Sequence, residues 1–306
     1  MQNGQLSLEI TKANGEKSVF DPKKLFNSLT RSGADETQAL EIANTITSEL
    51  YPGISTKKIY RKAFALLKEQ SRFLAARYNL KTAIMILGPS GYPFERFIGE
   101  LLKHQGFQVE VSKIVAGKCV NHEVDVIAEK DNHHFMIECK YHNQPGTVCD
   151  VKIPLYIQSR FLDVAAQWKT LPGHENKFHQ GWVVTNTRFT LDAIQYANCA
   201  ALKLLGWDYP AKGSLKDLID SLGLYPITTL TSLTLTEKKA LLEMQLVLCH
   251  ELRKNEKALS QIGIKATRIK TVLEECLNLC QRAKQSTPSI HERPEYHSAR
   301  SANPQR

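Results

Sequence analysis

The segment 134-HFMIECKYHN-143 holds a carboxylate and an ammonium group on a stretch that its apolar residues predict to be a largely buried strand. Phe135, Met136 and Ile137 form a continuous apolar run, which favours a strand inside a sheet. Charged side chains cost free energy in such a place unless other groups pair with them. Glu138 and Lys140 therefore indicate a sheet with a polar site in its interior.

The pattern around this segment predicts an α/β domain. Apolar periodicity indicates three helices, at 93–105, 152–169 and 190–203, and five strands, at 107–112, 123–129, 134–141, 181–186 and 204–208. The resulting order, αβββαβαβ, suits a sheet covered by helices. The turn-rich segment 88-GPSGYP-93 predicts a domain boundary in front of it.

The two ends of the chain predict helical regions. Residues 6–20 alternate apolar and polar side chains around the turn 14-NG-15, which favours a hairpin, and helical periodicity follows it. After residue 213 the pattern is again helical, with its longest segment at 235–254. The predicted parts are a helical domain with an N-terminal hairpin at 1–88, an α/β domain at 93–210, a helical accessory region at 211–284 and a disordered tail at 285–306.

Composition limits the partners and the compartment. The chain has 40 Lys and Arg against 31 Asp and Glu, a formal net charge of +9, which favours a polyanionic partner such as nucleic acid. It contains no long apolar run of the kind that spans a membrane, and its first residues are too polar for a signal peptide. The 7 cysteines are scattered without a CxxC pair, so we expect reduced thiols in a cytoplasmic protein.

The strand pattern brings carboxylates together. Side chains two residues apart on a strand share one face, roughly 6–7 Å apart, so Glu138 and Lys140 project together. A hairpin with the preceding strand can bring Asp125 beside Glu138. Two close carboxylates repel each other unless a cation neutralises them, and a hard divalent ion such as Mg²⁺ or Mn²⁺ takes oxygen ligands. With a lysine to orient or deprotonate water, this arrangement suits hydrolysis of a phosphodiester.

The helix before these strands can supply a third acid. Its apolar residues recur at helical spacing from Phe94 to Leu102. At ~100° per residue, Glu95 lies at the edge of this apolar face, and we predict that it joins the metal site. Glu100 falls further round the helix and is predicted to be a surface residue.

Other interpretations of these residues remain open. A Glu-x-Lys pair on its own more often indicates a cross-strand ion pair on a solvated sheet face. Lys152 and Arg160 follow the lysine strand and either contact phosphate or belong to a solvated helix face. The segment 262–276 has faint features of a helix-hairpin-helix DNA-binding element, although an ordinary accessory helix is favoured.

Several possible zinc ligands surround the lysine strand, namely His133, His134, Cys139 and His142. They lack the spacing of pairs of Cys and His ligands that structural zinc sites show. The sequence therefore favours solvated turn histidines over a zinc site.

Residues 93–208 resemble the Mrr-type branch of the PD-(D/E)xK restriction-endonuclease-like fold. The matching pieces are 94-FERFIGELLKHQGF-107, 123-EVDVIAEK-130, 137-IECKY-141 and 181-GWVVTNTRFTLDAIQYA-197. The resemblance implies that Asp125 and Glu138 bind metal, that Lys140 activates water and that Glu95 is the helix glutamate. Val124 stands where the family often has proline.

Residues 7–87 resemble the ATP-cone domain, on the stretches 10-ITKANGEKSVFDPKKLFNSL-29, 54-ISTKKIYRKA-63 and 74-LAARY-78. The resemblance implies ATP or dATP as a regulatory ligand, with Lys12 and Lys24 at the phosphates and Thr56 beside the nucleotide. Ala13 stands where that family has arginine, so one bidentate phosphate donor is missing. A structural or oligomerising role for this domain is the alternative.

Together these features predict a Mg²⁺-dependent deoxyribonuclease that acts in restriction of foreign DNA or in DNA repair. Cutting both strands requires two sites, which favours a homodimer. The alternatives are a protein that binds nucleic acid or senses nucleotides without catalysis and retains the fold, and a nuclease that acts on RNA.

Overall fold

The computed structural model describes residues 8–12 and 15–281, and the elements below lie within those ranges. The expectations for Leu6, Ala13 and Asn14, and for the tail at 285–306, fall outside the described residues.

The first part of the chain is a small sheet with helices. Strands β1 (Glu9–Thr11) and β2 (Lys17–Val19) form the expected hairpin, and β3 (Ile54–Ser55) pairs in parallel with β1. The helices that follow are α1 (Pro22–Arg31), α2 (Glu36–Ser48), α3 (Thr56–Gln70), α4 (Arg72–Tyr78) and α5 (Leu80–Met85). This region is therefore not purely helical. The sequence does not predict β3, because two extended residues are too few to show a period.

The central domain contains the expected order of helices and strands. Its long elements are α6 (Tyr92–Lys103), β4 (Gln108–Ala116), β5 (Asn121–Lys130), β6 (His133–Lys140), α7 (Lys152–Trp168), β8 (Phe178–Thr185), α8 (Leu191–Cys199) and β10 (Lys203–Leu205). Two short strands that the sequence does not predict, β7 (Val148–Cys149) and β9 (Arg188–Phe189), pair with each other.

The sheet has the strand order β10-β8-β6-β5-β4, with β6 at its centre. The strands β4, β5 and β6 are antiparallel neighbours, whereas β8 and β10 continue from β6 in parallel. Phe135 and Ile137 of β6 pack in the main buried cluster with α6, and Met136 packs on the other face with Val164 of α7. Successive residues of β6 therefore face two different helices, as a buried central strand requires.

Close packing fixes α6 on the sheet. The helix buries the apolar face that its sequence predicts, including Phe94 and Phe97. Gly99 lies against β4 so closely that a Cβ atom there would be 3.0 Å from Cγ2 of Val111. This approach sets the position of the first turn of α6, where Glu95 lies.

The C-terminal region is helical. Its elements are α9 (Leu215–Leu222), a 3₁₀ turn (Ile227–Thr229), α10 (Leu235–Glu243), α11 (Cys249–Lys254), α12 (Lys257–Gln261) and α13 (Ala266–Cys280). The expected long segment at 235–254 is two helices, because Gln245 has a φ of +61° and Leu248 pairs with Pro226 in extended chain. Among the described helices, none combines the length and apolar character needed to cross a membrane.

One buried cluster joins the three regions. It contains Leu80 and Ile84 of α5, Phe97 of α6, and apolar residues of the C-terminal helices such as Leu218 and Val272. The helices that precede the turn at 88–93 therefore pack in the same core as the central sheet.

Candidate active site

Ser112 and Asp125 interrupt the pairing of β4 with β5. They lie opposite each other, between the pairs Val111–Val126 and Lys113–Val124. Ser112 has a φ of +53°, a conformation that residues other than glycine adopt infrequently. Before it, β4 packs Val111 toward α6; after it, β4 packs Val115 in the cluster on the α7 side. The strand therefore changes faces at Ser112, directly beside Asp125.

The carboxylate of Asp125 takes the place of a strand hydrogen bond. The β5–β6 pairing ends at Val126–Ile137, and beyond it the backbone N–H of Cys139 donates to Oδ2 of Asp125 at 2.7 Å. Burial, followed by the charge of Glu138 and more weakly that of Glu95, raises the pKa of Asp125 to about 7. The Cys139 N–H and the charge of Arg160 act in the opposite direction. Asp125 is therefore an acid whose negative charge is incompletely neutralised.

Glu138 is held by an arginine from the facing helix. Arg160 of α7 donates to Oε2 of Glu138 at 2.7 Å, and the two side chains are 13% and 15% exposed. Arg160 also donates to the backbone carbonyl of Glu123 on β5. The sequence predicts that Arg160 either contacts phosphate or belongs to a solvated helix face. The structure shows instead that it is the ion-pair partner of Glu138. Lys152 is exposed on the same helix.

Glu95 approaches the site from the first turn of α6. Its Oε2 accepts a hydrogen bond from the Ser112 hydroxyl at 3.0 Å. Burial raises the pKa of Glu95, the Ser112 hydrogen bond opposes this shift, and the charges of Glu123 and Glu138 add to it. Ser112, the residue of β4 with positive φ, thus holds the carboxylate of Glu95. Glu100 lies elsewhere on the helix, where it pairs with Lys103 at 2.6 Å.

Lys140 extends from the end of β6, on the same face of the strand as Glu138. In the described part of the chain no carboxylate lies within ion-pair distance of its ammonium group, so Lys140 does not form an ordinary surface ion pair with Glu138 or with a neighbouring strand. The hydroxyl of Thr185 donates to the Lys140 backbone carbonyl at 2.7 Å, which fixes the end of the strand.

Thr185 and Asn186 are structural residues. Both are fully buried, and Asn186 accepts from the backbone N–H of His142 at 2.9 Å and donates to its carbonyl at 2.7 Å. These bonds hold the chain that leaves β6 after Lys140.

The three carboxylates are electrostatic neighbours and do not form a closed cage. Within the described ranges, the only His, Cys, Asp and Glu side chains found in a group of three or more with ligand atoms inside 4.8 Å of one another are His134, His174 and His179. Mg²⁺ commonly keeps several waters and uses one or two carboxylates together with substrate phosphates. Such an ion fits this site, because the negative charges of Asp125 and Glu95 are incompletely neutralised and both lie near Glu138, which pairs with Arg160.

The predicted nucleotide residues are only partly brought together. Lys12 follows β1 and Thr56 follows β3, so the parallel pairing places both at the same end of these strands. Lys24 lies in the first turn of α1, which begins beyond the opposite end of the hairpin. At the surface, the Lys12 ammonium pairs with Glu16 at 3.0 Å.

The sequence does not single out Ser112 as a residue of the site. The segment 108-QVEVSKIVA-116 contains one signal, because its alternation of apolar residues breaks after Val111. Asp125 and Glu138 are identifiable from the sequence, since an acid on a predicted buried strand needs an explanation.

Comparison with known proteins defines the class of this domain. Residues 87–208 match the family described as Restriction endonuclease, Mrr_cat, and residues 225–280 match the family described as AF1548-like, C-terminal. The central sheet with its acids is therefore a restriction-endonuclease-like domain. Neither match covers the region that resembles an ATP-cone.

A relative from Archaeoglobus fulgidus places the chain in a family. That protein, named only as uncharacterized, is 38% identical over 182 residues, which are 58% of this chain and 97% of the relative. This chain belongs to the AF1548-like family. The crystal structure of a protein of unknown function, AF1548, is 36% identical, with a TM-score of 0.51 over 62% of this chain and 98% of that one. Protein VC1899 from Vibrio cholerae shows a lower similarity, with 17% identity and a TM-score of 0.31 over 64% of this chain and 50% of that one.

Proposed function

We propose that this protein is a DNA endonuclease that depends on Mg²⁺ or Mn²⁺. The observation that carries the proposal is the geometry at Asp125, which accepts the Cys139 N–H at 2.7 Å beyond the end of the β5–β6 pairing and has Glu138 and Glu95 as electrostatic neighbours. These acids lie on a restriction-endonuclease-like domain, at the point where the strand pairing is interrupted. A divalent cation resolves the repulsion between the acids, and a buried acid cluster of this kind often marks a functional site.

Each residue has a distinct role in the proposed site. Asp125 and Glu138 would hold the cation, and Arg160 already donates to Oε2 of Glu138. Glu95 completes the set, either directly or through water. When bound, the cation stabilises negative charge on the phosphate and lowers the pKa of water. Lys140, which has no carboxylate partner among the described residues, positions the attacking water by a hydrogen bond from its ammonium group.

Arg160 acts as a positioning residue. Its two hydrogen bonds tie Glu138 of β6 to the backbone of Glu123 on β5, across the place where the two strands no longer pair. It also holds the Glu138 carboxylate in position when no cation is present.

The substrate is a nucleic acid, and we propose that it is DNA. A net charge of +9 supplies affinity for a polyanion that does not depend on sequence and that weakens with salt. Restriction of foreign DNA or DNA repair would use such an activity. Cuts in both strands would require two copies of the site, so the protein is proposed to act as a homodimer.

Incubation of supercoiled plasmid and of a single-stranded RNA with the full chain, in Mg²⁺ or in EDTA, tests the proposal. We expect Mg²⁺-dependent cleavage of the plasmid, lost in Asp125→Asn and in Lys140→Met. Glu100→Gln is the matched control, because it removes a carboxylate from the same helix as Glu95 without touching the site, and it should cut like the parent. Cleavage of RNA alone would identify a ribonuclease, and binding without cleavage in the parent would identify a non-catalytic protein.

We further propose that the N-terminal region binds ATP or dATP and regulates cleavage. Lys12 and Thr56 at one end of neighbouring parallel strands support this proposal, and the resemblance to the ATP-cone adds Lys24. Thermal unfolding with each nucleotide tests it, with Lys12→Ala as the variant expected to lose the response. An unchanged melting temperature in the parent would contradict it.

A further inference from the structure

A second polar cluster lies at the other end of β6. His134 is near the start of this strand, roughly 20 Å from Lys140 at the rise of an extended chain. The parallel register places His134 opposite His179 of β8, and His174 comes from the segment that joins α7 to β8. Three histidines that are far apart in the sequence therefore meet at one edge of the sheet.

The three imidazole rings converge. One ligand nitrogen from each of His134, His174 and His179 lies within 4.8 Å of the other two. The ring of His134 is 5.0 Å from that of His174 and 5.5 Å from that of His179, measured between ring centres. A tetrahedral zinc ion with bonds of ~2.0–2.1 Å holds its nitrogen ligands about 3.3 Å apart. The ligand nitrogens, which lie up to 4.8 Å from one another, would have to approach by at most about 1.5 Å to reach that spacing.

Ring nitrogens of all three histidines are buried without the hydrogen-bond partners that such atoms need. His134 is 8% exposed, and its Nδ1, Nδ1 of His174 and both ring nitrogens of His179 are buried with no hydrogen-bond partner. The backbone of His174 approaches the ring of His179 outside hydrogen-bond geometry. Buried polar atoms without partners are rare and cost free energy. A group that accepts several nitrogen lone pairs at once would satisfy them.

The surroundings of His134 and His179 lower the pKa of both rings and so favour the neutral form, which is the form that binds metals. Burial, followed by the neighbouring charges of His174 and His179, lowers the pKa of His134 to about 4. Trp168 covers one side, with its ring centre 4.0 Å from that of His134. Glu129 lies near the cluster, where it pairs with Lys177 at 2.6 Å.

We propose that His134, His174 and His179 form a binding site for a divalent transition metal, most simply Zn²⁺, separate from the proposed nuclease site. Three neutral imidazoles suit zinc and its neighbours in the first transition series, and they do not suit Mg²⁺. The metal fastens the segment between α7 and β8, through His174, to the two central strands of the sheet. Three protein ligands would leave the fourth position of a tetrahedral ion to a small ligand such as water. The role is structural, because His174 lies in the segment between α7 and β8, whereas the other two ligands lie on the paired strands β6 and β8.

Metal titration of the untagged full chain tests this site. The protein is stripped with a chelator, and Co²⁺ is then added with excess Mg²⁺ present to occupy the acid site. We expect the visible spectrum of tetrahedral Co²⁺ at about one ion per chain, displaced by Zn²⁺, and a melting temperature raised by at least about 5 °C with Zn²⁺. His174→Ala should weaken binding at least ~100-fold, since a direct ligand matters at least as much as its outer-shell partners.

Matched variants separate this site from other metal ligands. His174 is in a connecting segment and only half buried, so His174→Ala remains informative if His134→Ala fails to fold. His133→Ala removes a histidine next to His134 that is outside the cluster and should bind like the parent. Asp125→Asn should also bind like the parent, which distinguishes this site from the nuclease site. A parent without the tetrahedral Co²⁺ spectrum would overturn the proposal. So would His174→Ala and His179→Ala variants that bind Co²⁺ as tightly as the parent.

Discussion

Replacement of Asp125 by asparagine tests the strain that the buried acids place on the fold. Burial and the charges of Glu138 and Glu95 raise the pKa of Asp125 from 3.8 to about 7. Ionisation at neutral to basic pH therefore works against folding, by ~4 kcal/mol at ~1.36 kcal/mol per pKa unit. Asparagine retains an oxygen to accept the Cys139 N–H, and this bond is weaker by about 1 kcal/mol without the charge. Asp125→Asn should thus raise the free energy of unfolding of the metal-free protein by ~3 kcal/mol at about pH 8.

The assay is urea unfolding of parent and variant in EDTA, between about pH 4 and pH 8. A carboxyl with a raised folded-state pKa contributes stability below its unfolded value of 3.8 and loses it as the pH rises through about 7. The difference between variant and parent should therefore be small at the acidic end, grow with pH and level off above about 7. Equal stability at about pH 8, or a difference that is independent of pH, would refute the reasoning.

Asp163 of α7 provides a control of opposite sign. It accepts hydrogen bonds from the His122 ring at 2.8 Å and from the N–H groups of Cys119 and Val120, in the turn between β4 and β5. The His122 hydrogen bond, and then those of the turn, hold the pKa of Asp163 well below its usual range. This stabilisation is present at neutral pH and is lost on acidification. Asp163→Asn should therefore be less stable than the parent at about pH 8, where Asp125→Asn is more stable.

Three further variants separate the roles of neighbouring residues. Arg160→Met leaves a largely buried Glu138 without its partner and should lower the free energy of unfolding by ~3 kcal/mol in EDTA. This loss should be smaller in Mg²⁺, and urea titration in EDTA and in Mg²⁺ checks both expectations. Lys140→Met should reduce plasmid cleavage by at least ~100-fold while its unfolding free energy stays within about 0.5 kcal/mol of the parent's, because no carboxylate pairs with the ammonium group among the described residues. Asn186→Ala removes two buried hydrogen bonds to the His142 backbone and should cost ~2–3 kcal/mol, measured by thermal unfolding.

The sequence predicts the central sheet because its signals are local. Continuous apolar residues identify β6, alternating residues identify β5, and helical spacing of apolar residues identifies α6. The acids Asp125 and Glu138 are recognisable for the same reason, since each interrupts an otherwise buried strand. Elements of two residues, such as β3, carry no period and are found only when neighbouring strands supply their partners.

Contacts between distant residues could not be predicted in the same way. Arg160 pairs with Glu138 because α7 packs across β6, and its position on the helix allows a solvated face equally well. The φ of Ser112 follows from the change of faces in β4, which no local propensity specifies. His134 is predicted to be a solvated turn residue, yet it is buried against Trp168, because it lies at the start of β6 beside the last residue of α7.

Anomalous scattering from Mn²⁺ in crystals of the full chain is the most direct test of the proposed active site. Mn²⁺ prefers oxygen ligands, so it reports the carboxylates rather than the three histidines. We expect a peak within coordination distance, ~2.0–2.3 Å, of both Asp125 and Glu138, and we expect it to be absent from crystals of Asp125→Asn. A parent crystal with no peak between these two acids, or a peak that persists unchanged in Asp125→Asn, would contradict a shared cation at this site.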